Sequence, residues 1–370
     1  MKTTQRRFWR AMLLLAPLAG RADANTAPNA PPHELVVMQW NVQNFYDADD
    51  DPDNPGDDEY TPDGWRHWYR YRYALKLDHL ADIVAAIRPD ILGLEEVENR
   101  RVVVDLAHRL REVYHLDYPC LIQRDSPDKR GIDNALLSRY PLAATNWLAA
   151  EPAQREPIVA RFELGGAALT VIVNHWKSNY GGAKSGTLAT RTREARTVRT
   201  AVDTQLQTNP AAAVLVMGDF NWDSDTPAFI NALRALPPAA AIGTSDPTAL
   251  YNLSAGLPAG QRGTYWYNSG KRWHSFDNML VTHALLATNL PAPPGQAGDV
   301  PRGGWRVAPD SFRVIRDARL LDGAGHPKPF NELRDPATGK SHWIEGYSDH
   351  LPVIVRLTTV LPPVQRDQTQ

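Results

Sequence analysis

Val214-Leu215-Val216-Met217-Gly218-Asp219-Phe220-Asn221 is an apolar run that turns polar at its end. With Ala211 to Ala213 before it, the run reads as a central strand buried on both faces. Asp219 and Asn221 then fall where the strand stops. The same arrangement recurs along the chain. Glu34 to Val42 alternates and is rich in β formers, and Asn41 closes it. Asp90 to Val97 reads as a second strand, with Glu95 and Glu96 near its end. Leu169 to Val173 runs into Asn174 and His175. Ser348-Asp349-His350 stands just before the strand Pro352 to Leu357. Strand ends on a rigid sheet are where α/β proteins place binding groups.

Helices fill the intervals. Tyr69 to Ile87 places Leu77, Leu80, Ala81, Val84 and Ile87 at helical spacing. Arg100 to Val113 and Thr190 to Gln207 also read as helices, and Thr226 to Leu236 as a short one with Pro in its first turn. Further strands are expected at Asn134 to Ser138, Ile158 to Leu164, Ala168 to Asn174, Phe276 to Thr282 and Phe312 to Arg316. Ala284 to Arg306, rich in Gly and Pro, reads as a long surface loop. There are no repeats and no interdomain linker between residues 34 and 358. The expected architecture is one α/β domain of two packed sheets flanked by helices.

The chain has 370 residues, 43% hydrophobic and 22% charged, enough for a large core and too apolar for a disordered one. Lys2, Arg6, Arg7 and Arg10 precede an apolar run, Ala11 to Leu18, and then Ala22-Asp23-Ala24. That is the layout of a secretory signal peptide, too short to span a bilayer. Residues 1–24 are expected to be a leader, 25–33 a linker and 359–370 a tail, with export to the periplasm or medium. Removing the leader takes five basic and one acidic residue from the totals of 40 and 42, leaving 35 and 41, a net charge of −6. That balance excludes a general nucleic-acid coat protein but not a nuclease with a local basic rim. Cys120 is the sole cysteine, so no intramolecular disulfide can form. No transmembrane anchor and a monomer are expected.

Hard cations bind carboxylate and amide oxygens, and Asn41, Glu96, Asp219, Asn221 and Asp349 supply that set. His175 and His350 can carry protons near neutral pH. Taken in order, Gln39-Trp40-Asn41-Val42-Gln43-Asn44, Leu94-Glu95-Glu96-Val97, Asn174-His175-Trp176-Lys177-Ser178, Gly218-Asp219-Phe220-Asn221, Phe276-Asp277-Asn278 and Ser348-Asp349-His350 resemble the endonuclease/exonuclease/phosphatase superfamily. That superfamily includes deoxyribonucleases, apurinic endonucleases, sphingomyelinases and inositol-polyphosphate phosphatases. The resemblance covers about residues 34–358. It implies a four-layer α/β/β/α sandwich of two mixed sheets flanked by helices, with the site at the top of the sheets.

The resemblance also implies roles. Glu96 matches the metal-binding glutamate, with Asn41 and Asp349 completing the metal site. Asp219 matches the aspartate that readies the attacking water. Asn221, Asn174, Lys177 and Arg155 would hold the phosphate. His175 and His350 match the two site histidines, with Asp277 behind His350 and Asp133 behind His175. The implied cofactor is Mg²⁺ or Mn²⁺. One departure stands out: most members have Gln directly before the metal glutamate, and this chain has Glu95. Adjacent strand residues point to opposite faces, so Glu95 is expected to point away from the metal.

Several features have plainer readings. The Arg191, Arg193, Arg196 and Arg199 side of the long helix reads as a solvated face. The stretch Asp47 to Glu59 carries eight carboxylates in thirteen residues. Asp49-x-Asp51-x-Asp53 starts like an EF-hand loop but has Asn54 at the glycine position and Tyr60 at the glutamate position. That favours a solvated loop over a structural Ca²⁺ site. Trp65, Trp68 and Tyr69, beside Arg66 and Arg70, fit a nucleic-acid rim or a membrane-docking loop. The leading expectation is an exported nuclease acting on DNA or RNA. The competing ones are a phosphatase or phospholipase C/sphingomyelinase-like enzyme on a phospholipid or sugar phosphate, and a non-catalytic binding module.

Overall fold

The computed structural model describes residues 32–149, 155–179, 184–241, 246–286, 304–334 and 341–359. In chain order the elements are β1 (Glu34–Phe45), α1 (Arg70–Ile87), β2 (Ile91–Val97), α2 (Arg100–Tyr114), β3 (Cys120–Gln123), β4 (Asp133–Ser138), β5 (Ala144–Trp147), β6 (Ile158–Leu164) and β7 (Ala167–His175). Then come α3 (Lys184–Thr208), β8 (Val214–Asp219), α4 (Pro227–Leu233), β9 (Ala235–Leu236), β10 (Leu250–Asn252), β11 (Tyr265–Tyr267), β12 (Arg272–His274) and β13 (Asp277–Thr282). The last are β14 (Trp305–Val307), β15 (Arg313–Val314), β16 (Phe330–Arg334), β17 (Ser341–Glu345) and β18 (Val353–Thr359).

Two seven-stranded mixed sheets carry the fold. One runs β14-β18-β1-β2-β4-β3, with β15 also on β18; the other runs β5-β6-β7-β8-β13-β10-β9. Three apolar layers separate four structural ones. Leu35, Val37, Ile91, Val171, Val173, Leu215, Met217, Met279, Val281 and Val355 pack between the sheets. Met38, Trp40, Leu92 and Leu94 pack on α1 and α2, through Leu80, Val84, Val103 and Leu106. Ile172, Val214, Val216 and Leu280 pack on α3 and α4, through Val198, Val202 and Phe229. Each fully buried aliphatic side chain contributes about 1.5–3 kcal/mol, which makes the three layers the main source of stability. This is the α/β/β/α sandwich.

The period-two alternation of the strands also places the polar residues. On β1 the face bearing Leu35 and Val37 continues with Gln39 and Asn41. On β2 the Ile91 face continues with Gly93 and Glu95, and a Cβ at Gly93 would press on Met217 and Val173 of the other sheet. The Leu215–Met217 face of β8 ends at Asp219. The Val281–Met279 face of β13 ends at Asp277. The Val171–Val173 face of β7 ends at His175. The layer between the sheets is therefore apolar along most of its length and polar at one end.

Some elements differ from expectation. β1 continues past Val42 to Phe45 through a register shift between Asn41 and Phe45. Within the expected loop Ala284 to Arg306, residues 287–303 lie outside the described ones, and β14 begins at Trp305. The leader, residues 1–24, also lies outside them, as does the tail beyond Thr359. No helix among the described residues is long and apolar enough to cross a membrane.

Candidate active site

The polar end of the inter-sheet layer is built around Asp219. Its position depends on Gly218, whose φ is +147°. A Cβ there would overlap the Asn174 carbonyl oxygen, so only glycine lets β8 lie this close to β7. Asp219 Oδ1 accepts from the Asn221 backbone N–H at 2.7 Å. Oδ2 accepts from Asn41 Nδ2 at 3.0 Å and Asn221 Nδ2 at 3.1 Å. His175 Nε2 and His350 Nε2 stand 3.5 and 3.8 Å from the same oxygen. Burial pushes the Asp219 carboxyl above its usual range, with Asp277 adding to the rise and His350 opposing it.

His350 is held from behind. Its Nδ1 donates to Asp277 Oδ2 at 2.7 Å. Its backbone N–H donates to Ser348 Oγ, and its carbonyl accepts from Trp40 Nε1. Asp277 Oδ1 accepts from Gln39 Nε2 at 3.0 Å, and Gln39 Nε2 also donates to Glu95 Oε2 at 2.7 Å. Burial disfavours a charged imidazole, but Asp277 and Asp219 outweigh it and hold His350 well above the usual histidine range. His175 is the opposite case. Burial, helped by the Arg155 charge, holds it well below that range, and its Nδ1 has no hydrogen-bond partner among the described residues. The two surroundings therefore act in opposite senses, favouring the imidazolium at His350 and the neutral ring at His175.

Glu95 and Glu96 part company as the alternation requires. Glu95 is fully buried, faces the other sheet and bonds to Gln39; burial raises its carboxyl well above the usual range. Glu96 has φ +62°, at a register shift between Glu95 and Val97. It turns toward the mouth, where Oε2 accepts from the Asn44 N–H at 2.9 Å and Arg130 lies 3.6 Å away. Burial would raise Glu96, but Arg130 and His350 bring it below the usual value. Burial raises Asp349, and the Glu96 charge raises it further. Beneath them Lys76 is fully buried and donates to the carbonyls of Gln43 at 2.8 Å and Tyr347 at 3.0 Å.

The oxygens of Asp219 and Asp277 and a nitrogen of His350 lie within 4.8 Å of one another. All three groups are already bonded to protein donors or to each other, which makes them a proton-handling set. Glu96 and Asp349 are the pair whose mutual repulsion a dication would relieve. Asn41, with one lone pair beyond its bond from the Gln43 N–H, can join them. The donor set therefore fits a hard divalent cation.

Other expected positions fall elsewhere. Asp133 does not stand behind His175; its carboxylate accepts from the Ser126 N–H at 2.9 Å and Gln123 Nε2 at 3.2 Å. Arg155 is 4% exposed and spends its donors on the carbonyls of His175 and Trp176 and on Asp128, so it clamps the end of β7. Asn174 Nδ2 donates to the Met217 carbonyl, and both Asn221 amide donations go to protein oxygens. These two asparagines fix the strand ends rather than present donors to a phosphate. Lys177 lies at the margin, where burial, with Arg155, lowers its ammonium. Its backbone is gripped by α3: Glu194 accepts from its N–H and Arg191 donates to its carbonyl. Arg191 and Arg199 are thus buried rather than solvated, and Arg193 and Arg196 are exposed. Trp68 is buried too, donating to the Tyr46 carbonyl, so it is no part of a rim. Asp49 pairs with Arg70 and Arg101, and the acidic side chains that converge are Asp50, Asp57 and Asp58.

The sequence matches the Endonuclease/Exonuclease/phosphatase family over residues 36–359. The chain belongs to this family. Its members are metal-dependent phosphodiester hydrolases, and the chain is an enzyme of that type. No curated protein sequence matches it. Among solved structures, a humanized D. rerio TDP2 with 14 mutations superposes with a TM-score of 0.51 at 15% identity, covering 88% of this chain and 100% of that one. SmcL gives 0.51 at 15% identity, covering 88% and 99%. D. rerio TDP2 complexed with a single-strand DNA product gives 0.50 at 15%, covering 88% and 100%. At this identity the likeness speaks for the endonuclease/exonuclease/phosphatase fold alone.

Proposed function

We propose that the chain is an exported nuclease that hydrolyses nucleic-acid phosphodiesters by in-line attack of water. The observation that carries the hydrolytic chemistry is Asp219 beside a cationic His350 that Asp277 backs at 2.7 Å. Asp219, oriented by Asn41 and Asn221, takes the proton of the attacking water. The His350 imidazolium donates from Nε2 to a phosphoryl oxygen as charge builds there. Neutral His175 offers a second hydrogen bond from Nε2. Glu96 and Asp349, with Asn41, would hold Mg²⁺ or Mn²⁺, which supplies charge neutralisation at the phosphoryl and leaving oxygens.

The basic groups at the mouth, Arg130 beside Glu96 and Lys177 near Arg155, support a polyanionic substrate. Exposed Trp65, Tyr69 and Tyr71 support a second reading, a phospholipase C-like enzyme docked on lipid. Purified protein with Mg²⁺ or Mn²⁺ should degrade plasmid, single-stranded DNA or RNA faster than sphingomyelin, and chelation should stop it. Cleavage of sphingomyelin alone, or full activity after exhaustive chelation, refutes the proposal. Export predicts a mature N-terminus near Asn25 on protein from the native host; an intact Met1 there would exclude it.

A further inference from the structure

We propose that the groove between Trp65 and Arg130 is a nucleobase subsite, seating the unpaired base next to the scissile phosphate; this rests on the nuclease reading above. The groove has a volume of about 370 Å³ and is lined by Tyr46, Tyr60, Trp65, Lys129 and Arg130, among others. Its inner end meets the catalytic centre. Arg130 donates to Asn44 Oδ1 and lies 3.6 Å from Glu96 Oε2, so a phosphate at Glu96 has its neighbouring nucleoside at the groove.

The walls are built, not incidental. Tyr46 and Tyr60 stack at 3.9 Å and 6° to form a buried floor. The Tyr46 hydroxyl donates to the Arg130 carbonyl. A Cβ at Gly56 would overlap that carbonyl, so the loop carrying the outer wall is packed tight against the Arg130 turn. Trp65 is 61% exposed, yet its ring is braced. The Arg66 guanidinium lies 4.3 Å from the indole centroid and is itself tied to Asn331 at 3.1 Å and Glu59 at 3.3 Å. A surface tryptophan with a fixed cation over its ring, and with Lys129 and Arg130 lining the same groove, is the pairing of π face and positive charge that receives stacked bases.

Charge decides against an anionic bilayer. Asp58 and Glu59 line the same groove, and Asp50, Asp51 and Asp53 are exposed beyond it. That acidic lip repels an anionic membrane. It would also steer a strand's phosphates toward the Lys129–Arg130 side of the groove.

The test pairs Trp65→Ala with an oligonucleotide lacking the base on either side of its one cleavable phosphodiester. Intact enzyme should favour the complete substrate over one of the abasic ones in kcat/KM by roughly ten- to hundredfold. Trp65→Ala should erase most of that preference, and Trp65→Phe, which keeps a ring, should retain most of it. An equal preference in enzyme and Trp65→Ala overturns the subsite while leaving the nuclease reading intact. An enzyme that hydrolyses bis(p-nitrophenyl) phosphate but no oligonucleotide overturns both. Loss of binding to zwitterionic sphingomyelin vesicles in Trp65→Ala, with oligonucleotide cleavage unaltered, makes the groove a lipid anchor instead.

Discussion

The two sheets bring unequal halves to the site. The half centred on β8 and β13 is satisfied by the protein itself: both oxygens of Asp219 and both of Asp277 accept hydrogen bonds. The half on β1, β2 and the turn before β18 is not. There Glu96 and Asp349 repel one another, and the cations near them do not complete the cluster: Arg130, 3.6 Å from Glu96, also holds the Asn44 amide oxygen, and Lys76 holds backbone carbonyls. The difference separates proton handling from ion binding. A finished hydrogen-bond network fixes where a proton sits, and an unfinished cluster of hard oxygens is what a divalent ion completes.

The largest expected effect falls on the unfinished half. Glu96→Gln should lower kcat/KM on the order of 10³-fold, because an amide is a poor ligand for a hard dication. Asp277→Asn strikes the other half and should cost about 10²-fold. Combined with His350→Ala, its effect should not multiply, because the pair acts as a unit; multiplicative losses would mean the two act separately. The pH profile sharpens the same contrast. Asp219 must be ionised to take a proton, and its raised pKa places the acid limb of kcat above the ordinary carboxylate range. His350, raised by Asp277 and Asp219, must stay protonated, so the alkaline limb lies above the ordinary histidine range. Asp277→Asn should move the alkaline limb down; an unmoved limb would detach it from His350.

Smaller effects follow from buried carboxyls outside the reaction. Burial raises Glu98 to about 9. Its folded value lies above its unfolded one, so the folded state binds the extra proton between about pH 4.5 and 9, and stability falls as pH rises through that window. Glu98→Gln should flatten the decline of Tm between pH 5 and 8.5, and an unaltered slope would refute the assignment. The smallest effect belongs to Glu95→Gln. Glu95 faces Gln39 and the second sheet, so activity and metal affinity should stay within a few-fold of the parent.

Much of this was legible because strand parity is a simple code. The strand Ile158–Leu164 is seen with the bounds read from sequence, and the polar strand-end residues Asn41, His175 and His350 meet at Asp219. Gln39 was missed as part of the site, although it lies two residues beyond Val37 and two before Asn41 on one face, which was the available signal. Short edge strands such as Cys120–Gln123 and Ala144–Trp147 carry too few residues for a period to show. Arg191 and Arg199 looked solvated because charge usually is; nothing local announces that their guanidinium groups reach backbone carbonyls. Asp133 failed as a partner for His175 because resemblance transfers positions and not side-chain directions.

The division of labour is tested most directly by calorimetric titration of Mn²⁺ and Mg²⁺ into the parent, Glu96→Gln and Asp277→Asn proteins. The account predicts that Glu96→Gln loses most of the metal affinity while Asp277→Asn binds within about threefold of the parent, since the Asp277 carboxylate bonds to Gln39 and His350 and not to the residues that would hold the ion. Equal loss in both variants would contradict it and make Asp219, Asp277 and His350 the metal site.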